Sequence, residues 1–254
     1  MSWIATFTLF KKEISRFSKV WMQTVVAPVV TAMLYLLVFG HVLEGRVEIF
    51  AGVSYSAFLI PGLLMMTVIQ NAFANTSSSL IQSKVMGSLI FIMLPPFSEF
   101  EFFLAYVGAA IVRGLAVGFG VFLLAVFYVK VPIDNIFIVI AFAILGSYVM
   151  GALGMVAGIW AEKFDQIAAF QSFIIMPLTF LSGVFYSIKS LPPVWYELSK
   201  WNPFFYMIDG FRYGFFGQSD QPILVSFAAM LIAAILLTVI CIWMFRSGYK
   251  LRDS

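Results

Sequence analysis

Long runs of hydrophobic residues, separated by short polar stretches, make up most of this chain. Six runs have about the 20 apolar residues that a transmembrane helix requires: residues 20–39, 58–78, 106–129, 136–160, 167–185 and 223–245. We therefore predict an all-α membrane protein, with six transmembrane helices in a single transmembrane domain over residues 1–254.

The first 19 residues follow a different pattern. Apolar residues recur at alternating steps of four and three, which places them on one face of a helix: Trp3, Phe7, Phe10, Ile14 and Phe17. Basic residues lie off this stripe. The pattern predicts an amphipathic helix over residues 1–19 that lies in the membrane interface. The alternative is a helix that packs on protein.

Two connections between the runs are too apolar for simple loops. Residues 80–96 predict a short cytoplasmic helix at the membrane surface that ends at Pro95-Pro96, although hydropathy alone does not separate it from a continuation of the second span. Residues 186–221 are rich in Trp and Tyr, which favour the headgroup level, and predict a pair of short re-entrant helices. Asn202-Pro203 is typical of a cap followed by a first-turn proline, as is Asp220 before Pro222 for the last span.

The distribution of Lys and Arg predicts the orientation. With six spans, one side carries Lys11, Lys12, Arg16, Lys19, Lys84, Lys163, Arg246, Lys250 and Arg252, and the other carries Arg46, Lys130, Lys189, Lys200 and Arg212. Because cytoplasmic loops carry an excess of Lys and Arg, we expect both termini in the cytoplasm and residues 186–221 outside.

Composition excludes several classes of protein. Hydrophobic residues form 62% of the 254 residues, charged residues form 11%, and the mean hydropathy is +1.01, whereas soluble domains are about 45–50% apolar and about 25% charged. Membrane lipids must therefore surround most of the chain. The net charge of +3 gives no electrostatic basis for binding nucleic acid.

The motifs that would support catalysis or cofactor binding are missing from the sequence. It contains no phosphate-binding loop of the G-x-x-x-x-G-K-[ST] type and no cluster of residues with metal-ligand spacing. The single histidine, His41, makes a Ser-His-Asp triad implausible. We therefore expect no enzyme activity and no cofactor bound by this chain.

Polar residues inside the spans are the candidates for a translocation pathway. The second span carries Thr67, Asn71, Asn75 and Ser78 at helical spacing, and the fifth carries Ser172, Thr179 and Ser182. They could line a wet pathway, with Asn71 and Asn75 facing a cavity between two subunits and Thr179 opposite. They could equally form hydrogen bonds between helices.

Two further features of the spans have a structural interpretation. The motifs Gly114-x-x-x-Gly118 and Gly154-x-x-x-Gly158 predict close helix packing. Arg113 is the one basic residue well inside an apolar run. We expect it to extend towards Glu99 or Glu101 rather than contact a substrate.

The C-terminal half carries a series of motifs in a characteristic order: Ser182-Gly183-Val184-Phe185-Tyr186, Leu191-Pro192-Pro193, Asn202-Pro203-Phe204 and Asp209-Gly210-Phe211-Arg212-Tyr213-Gly214. This series resembles the signature of the ABC-2 type exporter permeases, and more narrowly the bacterial branch that includes drug, nodulation-factor and polysaccharide exporters. The layout of helices resembles that family along the whole chain.

The resemblance implies an inner-membrane permease subunit that pairs with a second copy of itself. Two copies of a separate cytosolic ATPase would bind ATP and Mg and power the export of a hydrophobic or amphipathic substrate of the drug, lipid or glycolipid class. The segment after the second span would couple to that ATPase, through Lys84, Met86, Gly87 and Leu89. The alternatives are a secondary transporter, which normally shows an internal repeat and intramembrane carboxylates, and a membrane scaffold that transports nothing.

Overall fold

The computed structural model describes residues 3–44, 49–50, 52–94 and 98–250, and over these ranges it is helical and contains no strand. Five stretches are long and apolar enough to cross a membrane: Met22–Leu43, Tyr55–Val85, Glu99–Tyr128, Ile136–Trp160 and Ile223–Ser247. The shorter apolar stretch Phe164–Phe180 completes a set of six. The predicted all-α membrane fold is confirmed, and the predicted number of spans fits these stretches.

Eleven α-helices succeed one another in the described ranges, with three other helical turns between them. Their bounds are α1 Trp3–Ser18, α2 Ala27–Leu43, α3 Tyr55–Val85, α4 Leu89–Met93, α5 Glu99–Tyr128, α6 Ile136–Trp160, α7 Phe164–Phe170, α8 Met176–Phe180, α9 Pro193–Lys200, α10 Pro203–Phe216 and α11 Ile223–Ser247. A π-helical turn, Met22–Val26, precedes α2, another, Gln171–Ile175, joins α7 to α8, and a 3₁₀ turn, Ile188–Ser190, precedes α9.

Helix α3 is the central element of the fold. It packs against α2, α5, α6 and α10, and most of its side chains are buried. Small residues allow its neighbours to approach closely: a Cβ added to Gly154 on α6 would overlap the carbonyl oxygen of Phe73, and one added to Gly118 on α5 would overlap Val68. The prediction that the two glycine motifs serve helix packing is confirmed.

Helix α1 packs along α5 and also touches the end of α3. Its buried residues are Thr6, Leu9, Glu13 and Phe17, whereas Trp3 and Phe7 are about two-thirds exposed, at 64% and 65%. The predicted apolar stripe is therefore divided, because the face that meets protein is offset to include the Glu13 carboxylate. Trp3 and Phe7 remain free to contact lipid.

A separate short helix follows α3 as predicted, but its predicted bounds, residues 80–96, are wrong. Helix α3 continues to Val85, the chain turns at Gly87 with a φ of +66°, and α4 spans only Leu89–Met93. A glycine is favoured at this turn because side chains with a Cβ rarely adopt positive φ. The predicted stop at Pro95-Pro96 lies outside the described residues.

Residues 186–221 contain two short α-helices, as predicted, and their re-entrant placement in the membrane stays a prediction. Asn202 caps α10 by accepting a hydrogen bond from the backbone N–H of Phe204 at 3.0 Å, and Pro203 occupies its first turn, which confirms the predicted cap. The predicted cap at Asp220 is wrong, because α11 begins after Pro222 without a side-chain cap. The Asp220 carboxylate has other partners, described below.

Candidate translocation and coupling surfaces

The predicted pathway residues of α3 are buried within a single chain. Asn71 accepts a hydrogen bond from Nη2 of Arg113 at 3.2 Å and donates one to the carbonyl of Thr67 at 3.0 Å. The Thr67 hydroxyl donates to the carbonyl of Leu64. These contacts are the interhelical and local hydrogen bonds of the alternative interpretation, and the pathway role of Thr67 and Asn71 stays a prediction.

Arg113 does not extend to the acidic residues that the sequence suggested. Helix α5 begins at Glu99, seven residues before the predicted start. Arg113 therefore lies 14 residues, or about 21 Å, along the helix from Glu99. Glu101 instead forms a capping box with Ser98. The expectation that Arg113 pairs with Glu99 or Glu101 is wrong.

Asn75 contacts α1 through Arg16. Nη2 of Arg16 donates to the backbone carbonyl of Asn75 at 2.7 Å and to its Oδ1 at 3.2 Å, and Nη1 donates to Ser78 at 3.3 Å. The fully buried carboxylate of Glu13 pairs with Lys12 at 2.7 Å and Arg16 at 3.2 Å and accepts a hydrogen bond from Ser79 at 2.9 Å. Sequence reasoning missed Glu13, although a carboxylate on the buried side of an amphipathic helix was a visible signal.

One stripe of α3 is left partly uncovered, and we name it the open stripe: Gln70, Ala74, Ser78 and Gln82. Its members follow one another at steps of four, so they share a face. Phe73, stacked on Phe170 of α7 at 5.7 Å, borders it on one side, and Asn75, held by Arg16, borders it on the other. The open stripe shares Ser78 with the predicted stripe, but its other members, Gln70, Ala74 and Gln82, were missed by sequence reasoning.

The predicted pathway residues of the fifth span do not come together with those of α3. Ser172 is exposed, whereas Thr179 and Ser182 are buried and donate hydrogen bonds to backbone carbonyls of their own segment, Ile175 and Thr179 respectively. Large apolar side chains on α2 and on the α7–α8 stretch are exposed: Val30, Leu34, Leu37, Val38, Phe173, Ile174, Met176 and Phe180.

The signature residues form a buried polar junction at the end of the bundle that contains α9 and α10. Arg212 is 1% exposed, donates to the carbonyl of Gly183 at 2.8 Å, and places its guanidinium 3.9 Å from the centre of the Phe58 ring. Gly183 has a φ of +77°. Gly210 leaves no room for a side chain, because an added Cβ would overlap Phe142.

Two carboxylates complete this junction. Asp209 accepts hydrogen bonds from the backbone N–H groups of Asp220 at 2.7 Å and Gln221 at 3.1 Å. Asp220 accepts from the Ser187 hydroxyl at 2.6 Å and the N–H of Ile188 at 3.0 Å. The junction therefore joins α8, α10 and the start of α11. Its signature residues are Ser182, Gly183, Asn202, Pro203, Asp209, Gly210 and Arg212. Their contacts are architectural.

The proposed coupling residues divide into two groups. Lys84 is buried, and its ammonium donates to the carbonyls of Ile159 and Ala161, both at 2.7 Å, at the end of α6. Leu89 is 2% exposed and packs into the bundle, and its coupling role stays a prediction. Met86 is 69% exposed, and the other exposed apolar residues nearby are Val85, Ile90, Phe91, Met93 and Leu94.

The turn after α6 is tied to the end of α11. Lys250 and Glu162 form an ion pair at 2.7 Å. The hydrogen bond from Lys250 lowers the pKa of the Glu162 carboxyl below its ordinary value, and the same bond raises the pKa of Lys250.

In the described part of the chain, no cluster of His, Cys, Asp or Glu side chains could hold a metal ion.

Comparison with known proteins identifies the family. Residues 4–216 match the family model of the ABC-2 type transporter. The chain is 37% identical over 251 residues to the inner membrane transport permease YadH of Escherichia coli K12. The aligned region covers 99% of this chain and 98% of that protein. The chain is 21% identical over 223 residues to nodulation protein J of Rhizobium leguminosarum bv. viciae, covering 86% and 83% of the two chains. Over 115 residues it is 28% identical to the capsule polysaccharide export inner-membrane protein BexB of Haemophilus influenzae, covering 44% and 41%.

Proposed function

This chain belongs to the ABC-2 type transporter family and is a membrane permease subunit, and from this premise we propose that it exports a hydrophobic or amphipathic substrate of the drug, lipid or glycolipid class. Two copies form the pathway, and two copies of a separate cytosolic ATPase bind ATP and Mg and supply the energy. Relatives named for capsule polysaccharide export and nodulation support an exported cargo.

The open stripe is the observation that carries this proposal. Gln70 is polar and lies in the membrane-spanning part of α3, and Ser78 and Gln82 continue its face towards the end of the helix, most of which is buried by its neighbours. Polar side chains at membrane depth normally face protein or a water-filled cavity rather than lipid. A cavity between two copies, bordered by the exposed faces of α2 and α7–α8, satisfies this requirement. Asn71 and Asn75 support this cavity from the adjoining positions on α3, whereas the roles of Ser172, Thr179 and Ser182 in the pathway stay predictions.

Thiol accessibility tests the proposal. Gln70→Cys and Ala74→Cys, each in a Cys241→Ala background, should react with a small, water-soluble thiol reagent, because the open stripe faces water in the assembled transporter. Two controls frame the result. Ala72→Cys lies on α3 at a fully buried position, and Ile235→Cys lies on α11 at a position that is 63% exposed and should face lipid. Equal, slow reaction at all four positions would refute a wet pathway along α3.

The orientation also belongs to the proposal. We expect both termini in the cytoplasm, since Lys84, Lys163 and Arg246 lie with the charged helix α1 at one end of the bundle. Ser190 is exposed and lies near α9, so a cysteine at this position can report that residues 186–221 are outside. Ser187 is buried and is therefore less suitable. An impermeant thiol reagent should label Ser190→Cys in spheroplasts and leave Ser18→Cys unlabelled until the membrane is opened. The reverse pattern would invert the topology.

A further inference from the structure

Arg113 presents an unbalanced charge inside the bundle. It is 8% exposed, its one hydrogen bond among the described residues is to Oδ1 of Asn71 at 3.2 Å, and its Nε has no partner there. No carboxylate in the described ranges lies within ion-pair distance of it. A buried charge is costly unless it is paired and hydrogen-bonded, and no described residue of this single chain balances the charge of Arg113.

A second guanidinium lies beside the first. Arg16 reaches Asn75, which lies one turn along α3 from Asn71, the partner of Arg113, so the two positive charges contact neighbouring turns of the same helix. Glu13 does not balance both, because its carboxylate already holds Lys12, Arg16 and Ser79. Lys12, Arg16 and Arg113 against Glu13 leave two positive charges in excess.

Two of the unpartnered groups at this point can act only as donors. Nδ2 of Asn75 is buried without a partner, as is Nε of Arg113. A cation, a water-excluded apolar group or a further donor would leave both unsatisfied. An anion with several acceptor oxygens would satisfy both and balance the charge, and guanidinium groups match phosphate geometry particularly well.

The depth of the site suits a headgroup. Tyr55 begins α3, and Tyr is favoured at the membrane interface. Asn75 lies 20 residues further along, which is about 30 Å of helix, or about the full thickness of the hydrocarbon core. The Arg16 contact therefore lies at the opposite interface, which is cytoplasmic in the proposed orientation, and Arg113 lies about one turn deeper.

We propose that Arg16, Arg113 and Asn75 bind the phosphate group of an anionic amphiphile from the cytoplasmic leaflet. Arg16 also contacts Ser78, so the site adjoins the open stripe. The amphiphile is either a phospholipid of the bilayer or a phosphorylated cargo. Only the link to the pathway rests on the proposed function: binding requires neither transport nor an ATPase, and the thiol-accessibility test can succeed where this one fails.

Binding can be measured on the delipidated full-length protein in detergent by native mass spectrometry. The probes are phosphatidylglycerol, zwitterionic phosphatidylcholine and inorganic phosphate. Phosphatidylglycerol should bind at least about tenfold more tightly than phosphatidylcholine. Arg113→Gln and Arg16→Gln should each weaken phosphatidylglycerol binding about tenfold or more, because a charge-assisted hydrogen bond is lost. Arg246→Gln, which removes an exposed charge at the same end of the bundle, should leave it unchanged.

Further arms exclude misfolding and identify the source of the ligand. Arg113→Lys retains the charge and should recover part of the affinity that Arg113→Gln loses. Equal affinity for phosphatidylglycerol in the wild type, Arg113→Gln and Arg16→Gln would overturn the proposal. Complete displacement of phosphatidylglycerol by millimolar phosphate would also overturn it, because free phosphate would then fill the site without any contribution from the lipid chains. Mass spectrometry of ligands that copurify with the wild type but not with Arg113→Gln then assigns the source. A phospholipid indicates a structural lipid, another phosphorylated amphiphile indicates cargo, and no anionic amphiphile at all contradicts the site.

Discussion

Replacing Lys84 by methionine tests whether this residue stabilises the bundle or contacts the ATPase. Its ammonium donates to the carbonyls of Ile159 and Ala161, where α6 ends and no further turn of helix can satisfy them. The side chain is also 7% exposed. A residue with these contacts offers little to a partner protein, so the substitution should affect folding rather than coupling.

The magnitude follows from the contacts that are lost. A hydrogen bond from a charged donor contributes about 1.5–3 kcal/mol, and a cation at the C-terminal end of a helix adds about 0.3–1 kcal/mol. Removing the buried ammonium also removes its desolvation cost, which is several kcal/mol, while methionine retains most of the side-chain volume. The two carbonyls of α6 remain buried without a donor. We expect the free energy of unfolding to fall by a net amount of about 2–4 kcal/mol.

Unfolding in mixed micelles with increasing SDS, followed by tryptophan fluorescence, measures this change. Lys19→Met is the control, because it removes an exposed lysine from the end of α1 and should alter the stability by less than about 0.5 kcal/mol. Two results would refute the reasoning. One is an unfolding curve for Lys84→Met that matches the wild type. The other is a loss of ATPase binding at unchanged stability, which would return Lys84 to the coupling surface.

Three other perturbations have distinct expected outcomes. Gly154→Leu should prevent α6 from packing on α3 and reduce the monodisperse fraction in size-exclusion chromatography, whereas a wild-type profile would contradict the close approach seen at this glycine. Lowering the pH should release the end of α11: because the pKa of Glu162 is depressed in the folded state, its pairing with Lys250 is present above the ordinary carboxyl pKa and is lost as the pH falls through the lowered value. The protection factor for amide hydrogen exchange near Lys250, which is the intrinsic exchange rate at each pH divided by the observed rate, should therefore fall on acidification in the wild type and be low at every pH in Glu162→Gln. Met86→Asp and Phe91→Asp should abolish ATPase association without lowering stability, and retained association would place the coupling surface elsewhere.

The positions of the spans could be predicted, because a helix that crosses the membrane needs about 20 mostly apolar residues and hydropathy detects such runs. The ends of α3 and α5 could not, since both helices continue well beyond the apolar run. Ser79 and Lys84 are polar, but Glu13 and the end of α6 provide their hydrogen bonds. Partners contributed by distant segments extend a helix without leaving a local signal in the sequence.

Which face of α3 is uncovered could not be predicted from α3 alone. Asn71 and Asn75 looked like pathway residues because amides are costly in lipid. Arg113 and Arg16 cover them, and the uncovered positions lie one residue earlier, at Gln70 and Ala74. The positions of α1 and α5 around α3 decide which of its faces is covered. The periodicity of residues along α3 carries no information about those positions.

The connection from the proposed coupling surface to the open stripe is short and stiff. Helix α3 runs without interruption from Ser78 and Gln82 to Val85, and Lys84 ties that end to α6. Only the turn at Gly87 separates it from α4, whose Leu89 packs into the bundle while neighbouring apolar side chains stay exposed. A push on α4 would therefore be transmitted to α3 as a rigid element rather than absorbed by a flexible loop. Because the same helix carries the open stripe, a small movement at the end that we propose to be cytoplasmic would directly displace the proposed pathway lining, so no separate relay through the other spans is required.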